Sequence, residues 1–166
     1  MTVAHRSPVE DRLPADAEAD TDAYADLGQF LPYLLNRVMG RMNQMLAQRL
    51  RLHGLSFQEW RVLLVLVNKG PRNIRRLSED TIIAHSTLSR MIDRMARAGL
   101  VTRGASPGDA RNVTLTATPR GRTLFRQIRH HGLAILDLAA DGLTEEERGV
   151  MLRAARRMAD NLGLDE

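Results

Sequence analysis

The 166 residues suffice for one compact domain, or for a small domain with appended helices. Cysteine is absent, which excludes a disulfide framework, a thiolate metal site, a cysteine nucleophile and a thiol redox switch. The net charge of +4 conceals an asymmetry: residues 1–26 set seven acids against Arg6 and Arg12, leaving +9 on residues 27–166.

Apolar residues make up 43% of the chain and charged residues 27%, as in ordinary globular proteins. Aromatics are only 4%, so the core has to be built from Leu, Val, Ile, Met and Ala. No apolar run approaches the roughly 20 residues of a membrane span, and the N-terminal stretch lacks the apolar centre of a signal peptide. A cytoplasmic protein without membrane contact is expected. Residues 1–26, acidic and holding Pro8 and Pro14, can bury little surface and read as a flexible tail.

From Leu27 to Leu50 apolar residues recur at three- and four-residue steps, the mark of a long amphipathic helix. Pro32 fits its first turn, and Gly54 ends it. Ser56 stands three residues before Glu59, the spacing of a capping box, and opens a second helix to about Asn68. Its apolar set is Trp60, Leu63, Leu64 and Val67, and Lys69-Gly70-Pro71 stops it. A short helix is predicted over Ile74–Thr81, then a turn around Ile82–His85, then a helix to Ala98 closed by Gly99. Two segments, Leu100–Arg103 and Arg111–Thr116, flank Ser106-Pro107-Gly108-Asp109 and read as a β-hairpin. Thr118-Pro119 opens a helix to about Ala140 with Leu124, Ile128, Ile135 and Leu138 as its apolar set. Thr144 and Glu147 open a last one to about Leu162.

The fold class is therefore mainly α with a small β-hairpin wing. Helix, turn, helix and hairpin between residues 74 and 117 make a winged helix-turn-helix. In the helix over Ser86–Ala98, Leu88, Ile92 and Met95 pack inward while Ser86, Thr87, Ser89, Arg90, Arg94 and Arg97 form the other face. Short hydroxyls near the N-terminus allow close approach to base edges, and arginine can fork onto guanine or phosphate. The segment Ser56–Gly121 has eleven cations against five acids, as a polyanion partner requires. A solvated Arg-rich face is the alternative reading of that helix taken alone.

The stretches GLSFQEWRVLLVL, STLSRMIDRMARAGLVTR and DARNVTLTATPRG resemble the MarR (multiple antibiotic resistance regulator) family of winged-helix transcription factors. The resemblance runs over about residues 27–162 and is most specific over Ser86–Gly121. It implies an interlocking helical homodimer built from residues 27–55 and 119–166, around a DNA-binding domain at residues 56–118. It further implies binding to a pseudo-palindromic double-stranded operator, and repression relieved by a small aromatic or phenolic ligand. The family's Asp-x-Arg wing motif falls on Asp109 and Arg111, implying that Arg111 enters the minor groove while Asp109 holds it. Ser86, Thr87, Ser89 and Arg90 are candidates for base or phosphate contact, and Arg94 and Arg103 for phosphate. Three positions depart from the pattern: Ala110 replaces a second wing arginine, Ala117 a leucine, and Ala84 the N-cap serine of the reading helix.

Tyr33, His53, Trp60 and Arg61 lie where the first two helices meet and are candidates for ligand binding, with Trp60 as plain core the alternative. His130 and His131 are expected to point in different directions. No metal site and no cofactor are expected, and Glu145-Glu146-Glu147 is explained by the helix dipole. No phosphate loop, nucleophile elbow or paired-carboxylate motif suggests an enzyme. Two other readings stay open: constitutive or architectural DNA binding without an effector, and a helical module that meets an acidic protein.

Overall fold

The computed structural model describes residues 26–106 and 109–164, with the side chains of residues 105–112 outside that description. The acidic tail up to residue 25 and the Pro107-Gly108 turn lie outside the described residues. Six helices and three strands follow one another as α1 (Leu31–Arg51), α2 (Phe57–Asn68), β1 (Arg72–Asn73), α3 (Ile74–Thr81), α4 (His85–Arg97), β2 (Val101–Ser106), β3 (Asp109–Ala117), α5 (Pro119–Ala139) and α6 (Glu145–Asn161). The chain divides into two compact units, Val38–Ala139 and the two flanking parts, Met1–Arg37 with Ala140–Glu166.

The larger unit carries the core. Leu50, Val62, Leu63, Leu66, Leu77, Leu88, Ile92, Met95, Leu115 and Ile128 are fully buried, drawn from α1 to α5 and the sheet. As the low aromatic content requires, aliphatic side chains dominate, and Trp60 stacks on Phe125 with ring centroids 4.8 Å apart. The predicted apolar sets of α2 and α5 hold except at Leu64 and Leu138, which are exposed. Of the predicted Leu27–Leu50 stripe, Leu46 and Leu50 are buried, whereas Leu27, Leu31, Leu34, Leu35 and Val38 are exposed.

The sheet is antiparallel, in the order β1-β3-β2. Its third strand, β1, is absent from the sequence reading: two residues, Arg72 and Asn73, pair with Leu115 and Thr114. So short a strand leaves no periodicity to read, and Asn73 doubles as the N-cap of α3, its side chain accepting from Arg76 N.

The start of α5 is packed closely. Thr118 Oγ accepts from Gly121 N at 3.0 Å and donates to Gly99 O at 2.6 Å. One hydroxyl thus caps the helix and ties it to the end of the α4 segment. Gly121 lies directly over the Leu100 carbonyl.

In the smaller unit, α6 begins with a complete capping box: Thr144 accepts from Glu147 N, and the Glu147 carboxylate accepts from Thr144 N and Oγ. Arg148 donates to the carbonyls of Ala140 and Leu143, fixing the approach to the helix. No residue of α6 is buried, and Val150, Met151, Leu152, Met158 and Leu162 are exposed. Met151, Ala154, Met158 and Leu162 follow helical spacing along one side.

Candidate nucleic-acid interface

The turn between α3 and α4 sets the direction of α4. Ser78 Oγ donates to Ile83 O at 2.7 Å, and Ile83 is buried, so the turn is held from both backbone and side chain. Between them Ile82 adopts φ 51° and ψ 42°, the left-handed region, as the C-cap of α3. That conformation costs a β-branched residue about 1–2 kcal/mol, and Ile82 is 76% exposed, so packing returns little of it. Ile82→Gly is therefore expected to stabilise the protein by about 0.5–1 kcal/mol, after allowing for the extra freedom of glycine in the unfolded chain. Urea denaturation measures it, and a loss of stability would mean that the side chain packs against something.

The helix α4 starts at His85, from Ala84, which provides no side-chain cap. Leu88, Met91, Ile92 and Met95 are buried. That anchoring fixes which residues remain outside: Ser86, Thr87, Arg90, Arg94 and Arg97 are exposed and Ser89 is half-buried. Ser86, Arg90, Arg94 and Arg97 stand at steps of four, four and three, on one edge of the helix. All five candidate residues of α4 thus reach the surface on the face opposite the core.

Arg103, in β2, donates from Nη2 to Asp93 Oδ1 of α4 at 2.6 Å. The β2 strand is thereby tied to α4. Further out, the β2–β3 register passes from Ala105↔Val113 to Ser106↔Asp109, leaving Ala110, Arg111 and Asn112 as extra residues on β3. An irregularity of this kind re-aims side chains at the end of a hairpin. Arg111 is at its centre. The side chains of Asp109 and Arg111 lie outside the described residues.

A second tie reaches α4 from the other side. Arg94 Nε donates to Glu59 Oε1 at 2.9 Å. The other carboxylate oxygen of Glu59 accepts from Ser56 N and Ser56 Oγ at 2.8 Å each, completing the capping box of α2. Burial alone pushes the Glu59 carboxyl up; the hydrogen bonds from Ser56 and Arg94, with the Arg94 charge, outweigh it and hold the group below its ordinary value. Sequence spacing announces the cap, but nothing in it announces the partner 35 residues away. Asp80 of α3 is held similarly. Burial raises it, and the contacts from Lys69 Nζ at 2.9 Å and Arg72 Nε at 3.0 Å bring it down. These two cations therefore brace α3 against the β1 segment.

The candidate ligand residues are placed differently from one another. Trp60 is 6% exposed and belongs to the core, as its alternative reading has it. Arg61 is half-buried, and His53 is exposed in the turn after α1. Tyr33 belongs to the smaller unit, where the guanidinium carbon of Arg37 lies 5.6 Å from its ring centre. His130 and His131 do not diverge as expected: their ring centroids are 3.9 Å apart, with the ring planes tilted by 44°. Among the described residues no group of three or more metal-ligating side chains converges. No helix among them is long and apolar enough to cross a membrane.

Known proteins with the same arrangement are numerous. The MarR family model matches residues 53–112, from the turn before α2 into the wing. The transcriptional repressor IacR of Pseudomonas putida is 30% identical over 115 residues, 69% of each chain. The chain belongs to the MarR family. It is a transcriptional regulator, in a family of DNA-binding proteins that are not enzymes. A MarR-family regulator from Silicibacter pomeroyi superimposes with a TM-score of 0.79 at 33% identity, over 87% of this chain and 97% of its own. BpsR of Bordetella bronchiseptica, whose DNA binding is regulated by 6-hydroxynicotinic acid, superimposes with a TM-score of 0.70 at 25% identity, over 81% and 96%.

Proposed function

We propose that this MarR-family protein is a homodimeric repressor that binds a pseudo-palindromic operator and leaves it when a small aromatic ligand binds. One observation supports the DNA-reading part most: α4 turns Ser86, Thr87 and Arg90 outward on its first two turns, beside a wing stem tied to it through Arg103 and Asp93. An α-helix with short hydroxyls and an arginine at its leading end fits the major groove, and the wing then lies over the neighbouring backbone. Arg111 is assigned to the minor groove at the wing, with Asp109 holding its guanidinium.

Dimer formation is supported by the apolar side of α6, on which no residue is buried among the described residues. Two copies joined there would place two reading helices on successive major grooves, about one helical turn apart. Ligand release is supported by the likeness to BpsR, and an aromatic carboxylate is the ligand class to test first. The burial of Trp60 against Phe125 favours a second reading, in which the protein binds DNA constitutively and that aromatic pair is core alone.

Selection of duplexes from a randomised pool tests the first part. Two inverted half-sites about one turn apart are expected, bound with an affinity that falls steeply as salt rises. Salt-independent or absent duplex binding would point to a protein partner instead. Arg111→Ala is expected to weaken binding of the selected duplex by about ten- to a hundredfold, the loss of one groove contact per half-site, with the dimer intact on size-exclusion chromatography. Unchanged affinity would remove Arg111 from the interface. Titration of aromatic carboxylates into the DNA complex separates the two readings, since the second expects no release.

A further inference from the structure

We infer that Glu59 is a positioning residue for DNA binding: it holds the Arg94 guanidinium by Nε so that the terminal amino groups present a fixed fork to a backbone phosphate. The inference rests on the DNA-binding reading above. The two partners of the pair differ sharply in exposure, with side-chain values of 8% for Glu59 and 61% for Arg94. Only the Nε side of the guanidinium is turned inward to the carboxylate. The Nη groups belong to a side chain that stands on the same edge of α4 as Ser86 and Arg90, the edge assigned to the duplex.

Geometry gives this arrangement its worth. A free arginine loses much rotameric freedom when it settles on a phosphate, whereas a fork already fixed by a carboxylate loses less per hydrogen bond formed. Glu59 is itself immobile, because Ser56 N and Oγ hold its second oxygen at the start of α2. The line Ser56–Glu59–Arg94 therefore fixes the fork relative to the helix-turn-helix core. A buried acid near a polyanion would otherwise only oppose binding.

Glutamine at position 59 separates the roles. Its single carbonyl oxygen can still close the capping box with Ser56, which tolerates Gln at that position, while its amide NH2 faces the Arg94 Nε–H and cannot accept from it. The experiment measures affinity for the selected duplex across salt for wild type, Glu59→Gln, Arg94→Gln and the double variant, with thermal melts alongside. Arg94→Gln is expected to reduce the log–log salt slope by about 2 in a dimer, one phosphate per subunit. Glu59→Gln is expected to weaken binding about fivefold and to have no further effect in the Arg94→Gln background.

Three results would overturn the inference. One is a Glu59→Gln variant that binds as tightly as wild type or more tightly, as loss of a mere negative charge predicts. Another is losses that multiply in the double variant. The third is an unchanged salt slope in Arg94→Gln, which decides the matter even where Glu59→Gln fails to fold. A wild type that does not bind duplex DNA would instead sink the underlying DNA-binding reading and this inference with it.

Discussion

Gly121→Ala is expected to lower the thermal midpoint by about 6–12 °C, the shift that a loss of about 3 kcal/mol produces in a chain of this size. In an ordinary helix the same change gains about 1 kcal/mol, because alanine orders at lower entropic cost than glycine. At Gly121 a Cβ would lie 2.2 Å from the Leu100 carbonyl oxygen and 3.3 Å from Leu63 Cδ2. The carbonyl is backbone, at the junction of α4 and β2, and it also accepts from Thr118 N at 3.1 Å. Relief would require α5 to back away, which strains the Thr118 cap and opens the packing of Leu63. Gly132→Ala, in the same helix but with nothing within 4 Å of the added methyl, is the control and is expected to be neutral or stabilising. Equal behaviour of the two variants in differential scanning calorimetry would contradict the close approach at Gly121.

Met151→Glu combined with Met158→Glu is expected to convert the proposed dimer to a monomer and to weaken operator binding by more than about a hundredfold. Both side chains are exposed, so two new carboxylates cost the subunit itself almost nothing. Buried face to face with their symmetry mates they would be unpaired charges in an apolar interface, a penalty of several kcal/mol. A monomer offers one reading helix instead of two, losing the gain that comes from linking two half-site contacts. Sedimentation equilibrium and duplex titration check the two halves separately. A variant that stays dimeric would place the interface elsewhere, and a monomer with undiminished affinity would remove the two-fold reading of the operator.

Much of the fold was legible because helix boundaries are written in local chemistry. Ser56 with Glu59, Thr144 with Glu147, Thr118 before Pro119, and Gly54 and Gly99 at left-handed positions each signal an end within a few residues of sequence. The inward face of α4 was equally plain, since Leu88, Ile92 and Met95 keep helical step. What escaped depends on tertiary context. The β1 strand exists only because β3 passes beside Arg72 and Asn73. The left-handed turn at Ile82 goes against the preference of isoleucine and is imposed by the burial of Ile83 next to it. Of the candidate site, Ser86, Thr87, Arg90 and Arg94 of α4 are exposed and Ser89 is half-buried, as the helical spacing implies. What spacing could not announce is that Arg94 and Arg103, candidates for phosphate contact, also have carboxylate partners on other elements.

Those two pairs engage adjacent residues of α4. Asp93 pairs with the wing stem and Arg94 with the second helix, so α4 is tied to both neighbours. In the proposed dimer each DNA-reading head is expected to move as one stiff jaw. An inducer acting on such a jaw would find no finger to unfold. Under the proposed function, control would come from the gap between two jaws, as a calliper loses its grip when its arms are reset by a few ångströms.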